Sequence, residues 1–144
     1  MKSGKKTVTL KKTVTLMGVT VLLFVTTVVA DQFKMRSGES NPAAMGVVHV
    51  NTDRNGNLAL ELEATHLAPP DRLTPAHSAY VVWVQPSGKP PEVLGELRVN
   101  TKDEAASFKT SVPYHNFDVF VTAEDNPKPE SPSGTEVLRT SVQK

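Results

Sequence analysis

The chain has 144 residues, of which 38% are hydrophobic and 22% charged, a composition that is typical of one globular domain and excludes a multidomain enzyme. Positions 1–30 contain five basic residues, all of them lysines, and no acidic residue. Residues 31–144 therefore contain 11 basic and 15 acidic residues, which gives them a net charge of −4. Because phosphates need a basic surface, this charge excludes a nucleic-acid binder, and the absence of cysteine excludes disulfides, thiolate nucleophiles and cysteine-based zinc sites.

The first segment in chain order has the pattern of an export signal. Lysines precede an uncharged stretch, residues 13–30, which ends in Val28-Val29-Ala30. Small or modest side chains before the cut suit signal peptidase, so we expect residues 1–30 to be a signal peptide cleaved between Ala30 and Asp31. The alternative is an uncleaved membrane anchor, since 18 helical residues span about 27 Å against a hydrocarbon core of about 30 Å.

Both alternatives predict export, because the lysines hold the amino terminus on the cytoplasmic side. A cleaved product is periplasmic or extracellular. An uncleaved product is anchored in the inner membrane with its C-terminal domain outside, and it contacts the membrane only through residues 13–30.

The mature part is predicted to begin with a flexible tether, residues 31–44, because these residues are small and polar and lack an apolar period. Residues 45–144 form the predicted β-domain, since apolar and polar positions alternate along them, most clearly in Leu58–Thr65. The sequence predicts seven strands, which are Met45–Asn51, Leu58–Thr65, Ser78–Gln85, Val93–Val99, Phe108–Val112, Phe117–Glu124 and Thr135–Val142.

Seven short strands separated by proline- and glycine-bearing turns are typical of an all-β, antiparallel sandwich of two sheets, of immunoglobulin-like type. A five- or six-stranded barrel is the alternative. The strand that contains Trp83 is apolar on both faces, so we expect it to be central and covered. The predicted core residues are Leu60, Leu62, Trp83, Phe117, Val119 and Val121. A lone tryptophan in an apolar strand belongs to the core more often than to a sugar-stacking platform, which is the alternative for Tyr80 and Trp83.

The later strands follow a distinctive order. An aromatic strand, Tyr80–Val84, precedes a Leu94-Gly95 strand, then a strand that ends in glutamate, Phe117–Glu124, and a loop that closes on Pro132-Ser133-Gly134. In this order, residues 78–142 resemble the C-terminal extracytoplasmic domain of the anti-sigma-K-factor family. The resemblance implies a domain outside the membrane without catalytic residues. The family's cytoplasmic domain, which holds the sigma factor, has no counterpart among residues 1–12, so sigma-factor binding is not implied here.

The four histidines are the candidate metal ligands of this cysteine-free chain. None of them stands at the i, i+2 or i, i+4 spacing that directs two imidazoles to one point. The favoured interpretation is therefore four solvent-exposed histidines and a protein without metal or cofactor. His66 and His77 border the same proline-rich connection, however, and with Met35 or Met45 they form the alternative hypothesis of a copper site.

No motif assembles a nucleophile, a base and an oxyanion donor. Ser87 and Ser133 both lie in Pro-Ser-Gly, which is turn chemistry, and the pair Glu61 and Glu63 is typical of the wet face of a strand. The sequence therefore predicts a protein that is not an enzyme and has no catalytic residues.

The predicted function is that of an exported interaction or structural module that presents its surface to another protein of the cell envelope. The expected contact regions are the loops Leu67–Pro75 and Asp125–Gly134, since surface loops carry recognition more often than strands. The alternative function is an exported protein that binds a small ligand or a metal such as copper.

Overall fold

A computed structural model of the chain describes Gly4 and residues 29–144. These residues form an all-β fold, as predicted, with a single 3₁₀ turn at Pro70–Arg72 as the helical segment of the described part. The nine strands are β1 (Asp31–Ser37), β2 (Met45–Thr52), β3 (Leu58–Thr65), β4 (Ala79–Pro86), β5 (Glu92–Leu97), β6 (Val99–Asn100), β7 (Ala105–Val112), β8 (Asn116–Glu124) and β9 (Thr135–Gln143). The predicted signal or anchor segment, apart from Gly4 and its last two residues, lies outside the described residues.

All nine strands belong to one antiparallel sheet with the order β5-β4-β8-β9-β1-β2-β3-β7-β6. The seven predicted strands are present, six of them with ends that agree within three residues. The predicted strand Val93–Val99 is divided at Arg98 into β5 and β6, because β5 pairs with β4 whereas β6 pairs with β7 at the other end of the sheet order. The strand with Trp83, β4, lies between β5 and β8.

The first strand shows that the predicted tether is wrong for residues 31–37. β1 pairs with β2 through residues 31–35 and with β9 through residues 36–37, so it belongs to both halves of the sheet. Met35 is buried in the core and Phe33 packs against it. Phe33 and Met35 are the two apolar residues of β1, and most of its other residues face water. This mostly polar composition is the reason why the sequence indicated a tether.

The sheet curls so that side chains from both of its halves share one hydrophobic core. Five of the six residues expected in the core lie in this cluster, namely Leu60, Leu62, Phe117, Val119 and Val121. Trp83 has no exposed surface either, but it lies on the opposite face of β4, in a second cluster with Val81 and Phe120. The sheet therefore buries apolar side chains on both faces around β4 and β8.

The two ends of the sheet approach each other, which makes the fold nearly barrel-shaped. A Cβ atom on Gly95 of β5 would lie 2.9 Å from the ring of Phe108 on β7, so the two strands are packed closely here. The hydroxyl of Tyr114 donates a hydrogen bond of 2.8 Å to Glu92 across the same seam. Side chains close this seam, since β5 and β7 are not hydrogen-bonded neighbours in the described sheet.

Candidate functional site

Two proline-rich loops meet at one end of the sheet. The 67–78 loop joins β3 to β4, and the 125–134 loop joins β8 to β9. Because β4 and β8 are antiparallel neighbours, the start of β4 lies beside the end of β8. The two loops, which we call the loop surface, contain six of the eleven prolines of the chain, namely Pro69, Pro70, Pro75, Pro127, Pro129 and Pro132. They include both regions that the sequence predicted as contact regions.

A side-chain contact joins these loops, since Nδ1 of His77 lies 3.1 Å from Oδ1 of Asp125. Beside it, the backbone N–H of Ser78 donates to the carbonyl oxygen of Glu124, the last residue of β8, at 3.0 Å. An ionised carboxylate only accepts hydrogen bonds, so Nδ1 of His77 carries a proton, and Nε2 is the acceptor of the neutral ring. The His77 side chain is only 11% exposed, so the expectation of four solvent-exposed histidines is wrong for this one.

The 67–78 loop is held against the body of the domain by its own buried groups. Leu67 and Leu73 are part of the core, and the backbone N–H of Leu67 donates to the carbonyl oxygen of Glu104 at 2.9 Å. The hydroxyl of Tyr80 donates to the carbonyl oxygen of Ala68 at 2.6 Å, and burial raises the pKa of Tyr80 to about 12. The loop therefore has a shape that the core maintains.

The 125–134 loop is held by a buried carboxylate. Glu124, at the end of β8, is 1% exposed. Its Oε1 accepts hydrogen bonds from the Thr122 hydroxyl at 2.6 Å and from the Ser133 backbone N–H at 3.1 Å, and its Oε2 accepts one from the Ser133 hydroxyl at 2.8 Å. Burial by itself would raise the pKa of Glu124, but these hydrogen bonds and one from the Gly134 backbone hold this pKa below its ordinary value.

The carboxylate is connected to the second hydrophobic cluster. The indole Nε1–H of Trp83 donates to the Thr122 hydroxyl oxygen at 2.8 Å, so the hydroxyl proton is directed to Glu124. Trp83 stacks on Phe120 with ring centroids 6.2 Å apart, and the Arg139 guanidinium lies 4.2 Å from the centroid of the Phe120 ring. Sequence analysis missed this network. The sequence feature that could have revealed this network is Phe120, because the alternation of apolar and polar residues along β8 assigns this aromatic residue to the solvent-facing side.

The candidate copper ligands, His66 and His77 with Met35 or Met45, do not lie together in the structure. His66 is exposed, whereas His77 is mostly buried against Asp125. Met35 and Met45 line a groove of about 360 Å³ whose other lining residues include neither of these histidines. Among the described residues, no three histidine, aspartate or glutamate side chains are grouped to hold a metal ion.

Tyr80 and Trp83 have no exposed surface, so neither ring offers a face to a sugar. Of the predicted cleavage pair, Ala30 precedes the sheet and Asp31 is the first residue of β1, where its Oδ2 lies 2.6 Å from Nζ of Lys144. The described part contains no helix with the length and apolar character of a membrane span.

Comparison with known proteins adds no relative. No family model matches the chain, and no curated protein or solved structure is significantly similar to it. The geometry of the loop surface therefore carries the functional inference.

Proposed function

We propose that this protein is an exported, non-enzymatic module that binds another protein of the cell envelope through its loop surface. The observation that carries the proposal is the junction of two proline-rich loops by His77 and Asp125, 48 residues apart in the chain. Prolines and buried anchors such as Glu124 limit the conformations of these loops before binding. A preorganised surface loses less conformational entropy when it binds, which favours recognition at this end of the domain.

The export part of the proposal rests on the leader sequence. Five lysines precede the uncharged stretch, and the expected cut between Ala30 and Asp31 leaves β1 complete, since this strand begins with Asp31. Intact-mass measurement of the chain recovered from the envelope fraction tests this part. A product that begins at Asp31 indicates a periplasmic or extracellular protein, and a full-length product in the membrane fraction indicates an anchor. Full-length protein in the cytosol would contradict export.

The finer part of the fold proposal is an immunoglobulin-like sandwich of two layers, similar to the extracytoplasmic domain of the anti-sigma-K-factor family. The position of β1, which pairs with β2 in one half and with β9 in the other, supports two layers that share a strand. The resemblance itself rests on the sequence, in which Pro132-Ser133-Gly134 precedes the last strand. An experimental structure with hydrogen bonds between β5 and β7 would favour a closed barrel instead.

Photo-crosslinking in intact cells tests the binding function. A photoreactive amino acid replaces Ala76 in one loop or Lys128 in the other, both of which are exposed. The control replaces exposed Asn55, which lies in the turn between β2 and β3 at the opposite end of the domain. We expect both loop positions to crosslink the same envelope protein and Asn55 to crosslink none. Equal crosslinking from Asn55, or none from the loops, would refute the proposal.

The alternative function, binding of a small ligand or copper, has a simple test. A ligand that binds the native state raises the melting temperature of the protein. We expect copper, zinc and simple sugars to leave the melting temperature unchanged. A gain of several degrees with any of them would replace the proposed function by the alternative.

A further inference from the structure

An open groove of about 520 Å³ lies beside the loop surface, between the 3₁₀ turn, the start of β4 and the end of β5. Its charged lining residues are Asp71, Glu96 and Arg98, and its histidine is His77. Nε of Arg98 lies 3.4 Å from Oε2 of Glu96, and the Arg98 side chain is 85% exposed. Asp71, in contrast, has no ion-pair partner in the described part of the chain. The ion pair of Glu96 and Arg98 is neutral, so the Asp71 carboxylate leaves the groove lining with one net negative charge, which favours a positively charged occupant.

The other polar groups of the groove also point to a ligand that donates hydrogen bonds. The Tyr80 hydroxyl already donates to Ala68, and the Arg98 guanidinium already donates to Glu96. Nε2 of His77, in contrast, is buried and has no hydrogen-bond partner among the described residues. Buried polar atoms in native proteins are almost always hydrogen-bonded, and an acceptor without a donor favours any partner that supplies one.

We propose that this groove receives a basic side chain, arginine or lysine, of the protein that binds the loop surface. Asp71 pairs with its charge at the mouth of the groove, beside the ion pair of Glu96 and Arg98. Nε2 of His77 accepts a hydrogen bond from one of its N–H groups after a side-chain rotation in the groove wall, because this atom is covered in the free protein. The inference rests on the proposed function and specifies the chemistry of the partner.

Short peptides test the groove separately from the unidentified partner. The probes are acetyl-Gly-Arg-Gly-amide and the same peptide with citrulline, which has the shape of arginine without its charge. NMR of the full-length chain in detergent micelles, with ¹⁵N-labelled histidine and backbone, reports binding. We expect the arginine peptide to shift the imidazole nitrogens of His77 and the amides of residues 71 and 96–98, with a Kd on the order of 1 mM. The citrulline peptide should bind about fivefold more weakly, as for a partly exposed ion pair.

Two substitutions and a matched control complete the experiment. Asp71→Asn removes an exposed charge with little risk to folding, and His77→Phe removes the acceptor nitrogen. Each substitution should raise the Kd of the arginine peptide about fivefold. The control His115→Phe changes an exposed histidine outside the groove and should leave binding unchanged.

Several outcomes overturn the inference. Equal binding of the citrulline peptide, or unchanged binding in both groove variants, excludes recognition of a basic side chain. Titration with Zn²⁺ that shifts the His77 nitrogens at lower concentration than the peptide would assign the groove to a metal instead. If the loop positions still crosslink a partner while the peptide does not bind, the groove inference fails alone, whereas loss of the crosslinks means that the proposed function itself fails.

Discussion

The hydrogen-bonded carboxylate of Glu124 makes a quantitative prediction for the variant Glu124→Gln. Glutamine keeps the volume of the side chain, but its amide group replaces one acceptor oxygen by a donor. Oε1 accepts hydrogen bonds from the Thr122 hydroxyl and the Ser133 backbone N–H, so an amide nitrogen at this position faces two donors. At the Oε2 position it meets the Ser133 hydroxyl, which has to rotate to become the acceptor. The substitution therefore replaces hydrogen bonds to a charged group by weaker ones to an amide, and in the first orientation it leaves a buried donor without an acceptor.

The expected size of the effect follows from these contacts. A hydrogen bond to a charged group contributes about 1.5 to 3 kcal/mol, and an unsatisfied buried donor costs about 1 to 3 kcal/mol. The glutamine, in return, no longer requires burial of a charge, which offsets part of the loss. We expect the free energy of unfolding to fall by about 2 to 3 kcal/mol at neutral pH.

Urea unfolding of the full-length chain measures this change, with the fluorescence of Trp83, the single tryptophan, as the probe. Trp83 reports on the same network, because its indole donates to Thr122. The matched control is Glu61→Gln on the outer face of β3, where Glu61 forms a surface ion pair with Lys109. Such a pair contributes at most about 1 kcal/mol.

The pH dependence provides a second measurement on the same variant. The pKa of Glu124 is below its ordinary value of 4.5 in the folded protein, so the unfolded chain binds the proton more readily. The carboxylate therefore stabilises the fold above about pH 4.5, and this contribution is lost as the pH falls through the folded pKa. Glu124→Gln should reduce the acid-induced loss of stability. A change no larger than that of Glu61→Gln, together with an unaltered acid slope, would refute this account of the buried carboxylate.

Three further predictions concern the anchors of the loop surface. Trp83 should emit at short wavelength and resist quenching by acrylamide, because it has no exposed surface; red-shifted, quenchable emission would contradict its burial. Gly134→Ala should destabilise the chain by more than about 3 kcal/mol in urea unfolding, since a Cβ would overlap the carbonyl oxygen of Ala123; Ser131→Ala, an exposed position in the same loop, should change stability by less than about 0.5 kcal/mol. The pKa of Tyr80 is raised to about 12, so its contribution to stability is complete below pH 10 and is lost as the pH rises towards 12; Tyr80→Phe should lessen this alkaline loss, measured as urea midpoints between pH 8 and 11.

Most strands could be predicted from the sequence because side-chain alternation is a local property. Leu58–Thr65 has the same ends in the prediction and in the structure, since its leucines and glutamates repeat every second residue. β1 was not predicted, because its membership in the sheet depends on two partners, β2 and β9, that are distant in sequence. A short strand with two apolar residues is stable only when such partners are present.

The candidate site was predicted only in outline. The two loops were expected to be contact regions because of their prolines and their exposure, but nothing in the sequence placed them together. Their junction depends on the pairing of β4 with β8, which brings His77 beside Asp125. The role of Glu124 was hidden for the same reason, because its partner Ser133 is at the far end of the loop.

The sequence alone thus determined the all-β class, the approximate ends of most strands and the alternation that separates core from surface, because each of these depends on neighbouring residues. Only the tertiary structure decided the strand order, the second cluster around Trp83, the buried carboxylate and the joined loops. Each of these features requires contact between two segments that are far apart in the chain. Which segments make contact depends on the pairing of all the strands and on how the sheet curls to bury its apolar side chains.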